Sequence, residues 1–388
     1  MTDHRDVIVV GAGVVGLASA WRLAQRGAGV TVVDPAPGRG ASGVAAGMLA
    51  PVTEARMGED ALLRLSLASW RRWPEFATEV EAAGDADIGY RADGTLVVGL
   101  DGDDRAALED TVARHREMGL DTEMVRGRDL RRLEPGLAPG VRAGALAAGE
   151  RSVDPQALVG ALRTAAVRTG ADLVEAPVER VLTDASTGRV TGVEVAGPDG
   201  AGGHRTMRAG TVVLAAGTDS GRVPGLPAGA SPPVRPVKGQ VVVLRQPVAD
   251  PLLGRTLRGI VHGSPIYLVP RRDGRVIVGA TSEEKGWDTT VTGGGVYELL
   301  RDALALVPGL DDAEMVTARA GLRPGSPDDL PMIGRSPVGG LVVATGHHRN
   351  GILLTPVTAD AVAAAVAGGP LPDEVASCDP GRFAGVAP

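Results

Sequence analysis

Residues 6–34 read DVIVVGAGVVGLASAWRLAQRGAGVTVVD, and this stretch predicts a βαβ unit. Its first apolar run, 7–10, is typical of a strand that is buried on both faces. The helical segment that follows carries apolar residues at i, i+3 and i+4 intervals, and Gly27 suits the left-handed residue that ends a helix. A second apolar run, 30–33, ends on Asp34, so that strand, helix and strand follow one another without interruption.

The turn inside this unit contains Gly11, Gly13 and Gly16 in the spacing G-x-G-x-x-G. The first glycine permits the tight turn, the second lets a pyrophosphate approach the backbone, and the third lets helix and strand pack closely. The helix N-terminus offers unpaired N–H groups to phosphates, and Asp34 is placed to accept hydrogen bonds from ribose hydroxyls. The glycines alone would be weak evidence, but with the strands, the helix and the acid they predict a dinucleotide site. They leave open whether FAD or NAD binds.

Composition excludes several classes of protein. A chain of 388 residues is long enough for more than one hydrophobic core. A net charge of −7 without a basic run, together with only 2% aromatic residues, argues against nucleic-acid binding. The single cysteine, Cys378, rules out an internal disulfide, and no metal site is expected. No apolar stretch is long enough to span a membrane and the first residues are polar, so we expect a cytoplasmic protein.

The βαβ pattern returns near 150–217 and near 340–367, with strand-rich segments between these regions. Asp154 and Pro155 mark a helix start, and Asp273-Gly274 marks a β-hairpin. These patterns predict an α/β fold in which a discontinuous, Rossmann-like domain carries an inserted, β-rich domain. The predicted ranges are 1–85, 146–225 and 325–388 for the dinucleotide-binding domain, and 86–145 and 226–324 for the inserted domain.

The segment PAPGRGASGVAAGMLAP, residues 35–51, has side chains too small to build a core. Such residues are needed where a backbone approaches a ligand closely, and Ser42 is of the type that caps a helix. A plain surface loop is the alternative. Because the segment leaves the strand end at which the nucleotide is expected, we predict that it lines the ligand site.

Seven stretches resemble the FAD-dependent amino acid oxidases related to D-amino acid oxidase, in particular the glycine oxidases of thiamine (thiazole) biosynthesis. These stretches cover nearly the whole chain, and the last three are more specific than the glycine turn. They read VIVVGAGVVGLASAWRLAQRG, ASGVAAGMLAP, VVLAAGTDS, RPVKGQVV, IYLVPRRDGRVIVGAT, AGLRPGSPDDLPMIGRSP and ATGHHRNGILLTP.

The resemblance implies a doubly wound FAD-binding domain, FAD as the cofactor, and an inserted α+β substrate domain built on an antiparallel sheet. Some members of the family attach the flavin through a cysteine, but the only cysteine here, Cys378, lies near the end of the sequence, so we expect non-covalent FAD. By position in the family's motifs, the implied FAD-binding residues are Gly11, Gly13, Val14, Val15, Gly16, Asp34, Pro35, Ser42, Gly43, Ala46, Gly47, Met48, Leu49, Val178, Gly217, Gly346, His347, His348, Arg349, Asn350, Gly351, Ile352 and Leu353.

For the substrate, the resemblance implies Tyr267, Arg323 and Arg349. An amino acid needs its carboxylate held, and a guanidinium does so with two parallel N–H bonds and a permanent charge. Each arginine has the alternative of a surface charge, and Tyr267 that of a tyrosine packed in a sheet. Pro265 stands where some relatives have a polar residue, which bears on how tightly glycine itself is recognised.

The implied reaction is the FAD-dependent oxidative deamination of glycine, sarcosine or small D-amino acids. Dioxygen would be reduced to hydrogen peroxide, and the protein would act as a homo-oligomer without a nucleic-acid or membrane partner. Three alternatives stay open. They are a sarcosine or D-amino acid oxidase or dehydrogenase with another electron acceptor, an NAD(P)-dependent reductase, and a non-catalytic flavin-binding subunit.

Overall fold

The computed structural model describes residues 3–197 and 203–383 of the chain. Within them lie two large β-sheets and a small two-stranded one. The strands are β1 (Asp3–Val10), β2 (Val30–Val33), β3 (Met48–Leu49), β4 (Thr95–Gly99), β5 (Glu123–Arg126), β6 (Ala143–Ala147), β7 (Arg151–Ser152), β8 (Asp172–Val174), β9 (Val178–Thr183), β10 (Val190–Ala196), β11 (His204–Leu214), β12 (Arg235–Arg245), β13 (Thr256–Val261), β14 (Ser264–Pro270), β15 (Arg275–Gly279), β16 (Glu314–Gly325), β17 (Met332–Arg335) and β18 (Leu341–Thr345). The α-helices are α1 (Val14–Gln25), α2 (Asp60–Gly84), α3 (Gly102–Glu117), α4 (Gly127–Leu133), α5 (Pro155–Arg168), α6 (Gly293–Leu306) and α7 (Thr355–Val366).

The first large sheet has the strand order β17–β18–β11–β1–β2–β8, with β10 attached to β11 and β9 attached to β10. Strands β18, β11, β1, β2 and β8 run parallel, whereas β17 is antiparallel to β18. The side chains of β1 alternate between two cores: Val7 and Val9 pack with α1, α5 and α7, while Ile8 and Val10 pack with β9 and β10. The helices therefore cover one face of this sheet, and the β9–β10 layer covers the other.

The second large sheet has the order β16–β12–β15–β14–β13–β4–β6–β5. Its neighbouring strands are antiparallel except for β13 and β4, which run parallel. Helix α6 packs on one face through Leu299, Ala303 and Leu306, which share a core with Leu257 and Leu268. Residues of β12, β14 and β16 in this sheet form a wall of the candidate site.

The predicted fold class is confirmed: the chain is a mixed α/β protein with one largely parallel and one largely antiparallel sheet. Blocks of consecutive strands belong alternately to the first and the second sheet along the chain. The domain boundaries given above stay a prediction. Within the described residues, 3–197 and 203–383, no helix combines the length and the apolar character that crossing a membrane requires.

Most helix predictions are confirmed because their signals are local. Helix α5 begins at Pro155, and the Asp154 carboxylate accepts hydrogen bonds from the backbone N–H groups of Gln156 and Ala157. Strand lengths are harder to predict. The apolar runs at 241–244 and 211–217 predict strands with other bounds than β12 and β11, because Lys238, Gly239 and Gln240 interrupt the apolar pattern of one strand and a polar stretch precedes the apolar part of the other.

Candidate active site

A cavity of about 1060 Å³ opens between the two large sheets. One wall is formed by the carboxyl ends of β1 and β2 and by most of segment 35–48. The other wall is formed by residues of β12, β14 and β16 in the second sheet. The volume exceeds the ~300–1,000 Å³ typical of small-molecule sites, so the cavity has room for an extended dinucleotide and a small substrate.

The three glycines of the first turn meet different neighbours. Gly11 has a φ of +108°, and a Cβ there would lie 2.4 Å from the carbonyl oxygen of Ala215. A Cβ on Gly16 would lie 1.9 Å from the carbonyl oxygen of Gly11, so Gly16 is required by packing and does not line the cavity. Gly13 does line it, and the nearest atom to a Cβ there would be Ser42 Oγ at 3.4 Å. The open space is thus at Gly13, where α1 begins.

Asp34 ends β2 and faces the cavity with its carboxylate held in place. Its Oδ2 accepts a hydrogen bond from Ala12 N, and its Oδ1 one from Ala36 N, both at 2.7 Å. Each carboxylate oxygen has a further lone pair for a ligand hydroxyl. The arrangement therefore suits an oriented acceptor beside the N-terminus of α1.

Ser42 acts as a cap, but not of the helix that we predicted. It lies in a 3₁₀ turn, Ala41–Gly43, which starts no α-helix. Instead, its Oγ accepts a hydrogen bond of 3.1 Å from Val14 N, the first residue of α1. The sequence could not show this partner, because Ser42 and Val14 are 28 residues apart in the chain and come together only in the folded protein.

The rest of segment 35–51 is held tightly against its surroundings. Gly47 has a φ of +74°, and a Cβ there would lie 2.0 Å from the carbonyl oxygen of Val153. The buried Arg271 side chain donates a hydrogen bond to the carbonyl oxygen of Ala46. Because twelve of the fourteen residues 35–48 line the cavity, this segment is part of the site and not a free surface loop.

A second loop, residues 347–352, closes the cavity in front of α7. His347 is buried, and its Nε2 lies 3.0 Å from Thr358 Oγ1 on that helix. Burial lowers the pKa of His347 to about 4, so the ring is neutral at physiological pH. The next residue, His348, has a φ of +47° and also lines the cavity. Its pKa is likewise lowered to about 4, mainly by burial.

The wall formed by the second sheet presents a row of paired residues. Tyr267 on β14 is paired with Arg258 on β13 and with Gly279 on β15. Directly paired residues of neighbouring strands point to the same face, so Arg258 and Tyr267 lie side by side on the cavity wall. A Cβ on Gly279 would lie 2.5 Å from the Tyr267 hydroxyl oxygen, so the ring covers a position that has no side chain. Burial raises the pKa of Tyr267, which therefore stays a neutral hydroxyl.

Arg323 on β16 lies beside this row and is held by backbone carbonyls. Its Nη1 lies 3.2 Å from the carbonyl oxygen of Thr281 and 3.4 Å from that of Lys238. The positive charge of Arg323 partly offsets the effect of burial on the pKa of Tyr267. Within residues 3–197 and 203–383, no carboxylate lies within ion-pair distance of Arg323. Its positive charge therefore faces the cavity without an acidic partner.

Arg349 lines the same cavity, but its charge is compensated. Its Nη2 lies 2.6 Å from Glu59 Oε2, and its Nε lies 3.8 Å from Glu54 Oε2. Glu54 also forms a 2.6 Å ion pair with Nη1 of Arg258. The Glu54 carboxylate thus lies between Arg258 and Arg349 on the cavity wall.

The structure brings most of the predicted site residues together. Those that line the cavity are Gly11, Gly13, Val14, Val15, Asp34, Pro35, Ser42, Ala46, Gly47, Met48, Val178, Gly217, Tyr267, Arg323, His347, His348, Arg349, Gly351 and Ile352. Those that do not line it are Gly16, Gly43, Leu49, Gly346, Asn350 and Leu353. Leu49 and Leu353, for example, belong to the hydrophobic core between α1, α2 and α5.

Two charged residues of the cavity wall, Arg258 and Glu54, are among those that the sequence did not predict. Arg258 lies on β13, whose sequence TLRGIV contains a glycine and alternates too weakly to be recognised as a strand. Glu54 lies in a turn and carries no local signal at all. The described parts of the chain contain no group of three or more His, Cys, Asp or Glu side chains that could hold a metal ion.

A model of the FAD dependent oxidoreductase family DAO matches residues 6–365. The chain belongs to this DAO family. It is 36% identical to the glycine oxidase of Geobacillus kaustophilus over 92% of each chain. It is 35% identical to the bifunctional protein ThiO/ThiG of Synechocystis sp., with 92% of this chain matched. The chain spans about half the length of that relative, 51%.

Solved structures of DAO-like proteins agree with this assignment. The crystal structure of the Geobacillus kaustophilus glycine oxidase matches with a TM-score of 0.86 at 32% identity, covering 97% of this chain and 98% of that one. An iminodiacetate oxidase from Chelativorans sp. BNC1 matches with a TM-score of 0.83 at 27% identity, covering 96% and 98%.

Family membership settles the choice that the glycine turn left open: the cofactor is FAD, and the protein is an oxidoreductase. The residues fit this group. The space in front of Gly13, the acceptor at Asp34 and the N-terminus of α1 suit the two halves of a dinucleotide. Cys378 is fully buried among Leu62, Leu65 and their neighbours and does not line the cavity.

Proposed function

We propose that this protein oxidises glycine, and other small amines such as sarcosine and small D-amino acids, with release of hydrogen peroxide. The amine would become an imine, which water hydrolyses to the keto acid and the free amine, ammonia from glycine and methylamine from sarcosine. The observation that supports this proposal is the guanidinium of Arg323, which has no acidic partner in the described structure and lies beside the hydroxyl of Tyr267 on the cavity wall.

In this proposal Arg323 binds the substrate carboxylate. A guanidinium held at Nη1 by the carbonyl oxygens of Lys238 and Thr281 is oriented before the substrate arrives, and a carboxylate can then accept two hydrogen bonds from it. The Tyr267 hydroxyl, neutral because burial raises its pKa, donates a third hydrogen bond. Together the two residues fix the substrate's acidic end and leave its α-carbon directed into the cavity.

The chain's other proposed role is to hold FAD, which accepts the hydride from the α-carbon when it is bound. Asp34 would accept hydrogen bonds from ribose hydroxyls, and the N-terminus of α1 would face the phosphates. The neutral ring of His347 and the rest of loop 347–352 would exclude water from the reacting end. No acid–base pair is required of the protein, because the chemistry belongs mostly to the cofactor.

The names of the relatives point to a biological context. We propose that the imine product supplies the thiazole part of thiamine, as the matches to ThiO/ThiG proteins and glycine oxidases suggest. Dioxygen as electron acceptor, homo-oligomeric assembly and a cytoplasmic location stay part of this proposal.

A peroxide assay with glycine, sarcosine, D-alanine and D-proline tests the proposal. We expect peroxide from glycine, and a loss of kcat/KM of about 30- to 4,000-fold in Arg323→Ala, which corresponds to about 2–5 kcal/mol for a truncated charge pair. Arg245→Ala is the matched control, because Arg245 forms an exposed ion pair with Glu314 at the far end of β12. Flavin-containing protein without turnover of any amine would indicate a non-catalytic subunit. Dye reduction without peroxide would indicate a dehydrogenase.

A further inference from the structure

Glu54 places a negatively charged carboxylate in the part of the cavity where the substrate carboxylate is expected to bind. It lines the cavity and is largely buried, with 16% of its side chain exposed. Its Oε1 lies 2.6 Å from Arg258 Nη1 and its Oε2 lies 3.8 Å from Arg349 Nε. A carboxylate in this position competes for the cations that an anionic substrate group would otherwise reach.

A second acidic residue, Glu150, holds the turn that contains Glu54. Glu150 is buried, and its Oε1 accepts hydrogen bonds from Val52 N at 2.9 Å and Thr53 N at 2.7 Å. Its Oε2 accepts a further one of 2.8 Å from the Thr53 hydroxyl. These three bonds hold the backbone immediately before Glu54, so the position of its carboxylate is fixed by the fold and does not depend on a mobile side chain alone.

The charge of Glu54 reaches the place where the substrate is expected. Arg258 and Tyr267 are directly paired across β13 and β14, so the partner of Glu54 is the neighbour of the Tyr267 ring. The negative charge of Glu54 also contributes to the raised pKa of the Tyr267 hydroxyl, whereas Arg258 and Arg323 act in the opposite direction. Glu54, Arg258 and Arg323 therefore all act electrostatically on the Tyr267 hydroxyl.

We propose that Glu54 is a specificity-determining residue which neutralises Arg258 and thereby restricts the site to substrates with a single anionic group. This inference rests on the proposed function, because it assumes that Arg323 binds the carboxylate. A second anionic group would meet Glu54, and like charges brought together disfavour a ligand strongly. Removing the charge of Glu54 would release Arg258 as a second anion-binding cation. Arg349 would stay compensated, because Glu59 lies 2.6 Å away.

Binding of two isosteric ligands to the FAD-loaded protein tests this inference without turnover. Succinamate has one negative charge and succinate has two, and titration calorimetry gives the ratio of their dissociation constants. The proteins compared are the wild type, Glu54→Gln, the double variant Glu54→Gln/Arg258→Gln and the control Glu109→Gln. Glu109 forms an ion pair with Arg126 of the same length, 2.6 Å, on the exposed surface of α3.

We expect Glu54→Gln to shift the affinity ratio towards succinate by about tenfold or more. Glu109→Gln should leave the ratio within about twofold, since an exposed pair contributes little. The double variant should lose the gain, because the released cation is absent. Thermal unfolding and flavin content would show that each variant is folded.

Three outcomes would overturn the inference. They are an unchanged affinity ratio in Glu54→Gln, no succinate binding in that variant, and a gain in succinate affinity that persists without Arg258. Failure of the proposed function looks different: the ratio would still shift, while no amino acid gave peroxide. The same variants can also be compared by their kcat/KM for D-aspartate relative to D-asparagine. We expect Glu54→Gln to raise this ratio, as it raises the affinity for succinate relative to succinamate.

Discussion

The guanidinium of Arg323 lies over the backbone of Gly239. A Cβ placed on Gly239 would come within 2.3 Å of Arg323 Nη2 and within 2.5 Å of its Cζ. The two residues belong to antiparallel neighbours, with Gly239 on β12 paired to Gly321 and Arg323 on β16 paired to Val237. The arginine therefore uses the space of a missing side chain to reach the carbonyl oxygen of Thr281.

Replacing Gly239 by alanine should displace this guanidinium. We expect kcat/KM for glycine to fall by about tenfold to a hundredfold, chiefly through KM, since a misplacement of about 1 Å has effects of that size. Flavin content should not change. Gly294→Ala is the matched control, because a Cβ there meets no atom within 4 Å. Unaltered kinetics in Gly239→Ala would contradict the assigned position of Arg323.

Removing the hydroxyl of Tyr267 tests the second contact with the substrate. Tyr267→Phe keeps the ring over Gly279 but deletes a hydrogen bond to a charged group, worth about 1.5–3 kcal/mol. The KM for glycine should rise by about tenfold to a hundredfold. Tyr297→Phe is the control, since Tyr297 is 66% exposed on α6. If both variants behaved as the wild type, the hydroxyl would have no part in binding.

The first glycine of the dinucleotide turn should be essential for FAD binding. In Gly11→Ala the new methyl group would lie 2.4 Å from the carbonyl oxygen of Ala215, and the φ of +108° is strained for any L-residue. We expect protein without visible flavin absorbance. Gly160→Ala in α5 meets no atom within 4 Å and should keep its colour. A yellow Gly11→Ala protein would argue against this turn as the FAD site.

Buried His347 should make the protein less stable in acid. Its pKa is about 4 when folded and about 6.5 when unfolded, so the unfolded state binds the proton more readily. The stabilisation is complete above about pH 6.5 and is lost as pH falls towards 4; at pH 5 the loss is about 2 kcal/mol. Urea unfolding near pH 7.5 and pH 5 would measure it. The variant His347→Gln can still form a hydrogen bond with Thr358, but its free energy of unfolding should lack this loss between pH 7.5 and pH 5. An identical pH dependence of stability in the two proteins would contradict the prediction.

The flavin should be attached without a covalent bond. Cys378 is fully buried, and burial raises the pKa of its thiol to about 12, so no reactive thiolate is available to a flavin. Acid precipitation should release the colour into the supernatant. Cys378→Ala should bind the same amount of flavin per protein. A coloured pellet from the wild type would show that the flavin is linked to the chain.

Local signals made much of the fold predictable. The glycine turn, the apolar runs of β1 and β2 and the helix between them occur within 29 consecutive residues, so their spacing alone predicts the dinucleotide site. The Asp154-Pro155 start of α5 is equally local. For the second sheet, the hairpin at Asp273-Gly274 was visible, whereas β13 and its parallel pairing with β4 were not. Such a pairing joins distant segments and leaves no pattern in either one.

The candidate site divides in the same way. The family motifs placed Tyr267, Arg323 and Arg349 in the sequence, but not the charges around them. Arg349 meets Glu59 across 290 residues, and Arg258 meets Glu54 across 204. Which guanidinium is compensated and which is free depends on these distant contacts.

By itself, the sequence predicted a βαβ unit with a dinucleotide turn, because turn chemistry and hydrophobic periodicity act between residues close in the chain. The arginines and the tyrosine of the site were predicted from the resemblance to the amino acid oxidases and not from such local patterns. Only the tertiary structure decided that Arg323 has no acidic partner among the described residues, that Gly239 makes room for it and that Glu54 is paired with Arg258. Electrostatic pairing depends on distance in space, and that distance is set when the two sheets close around the cavity.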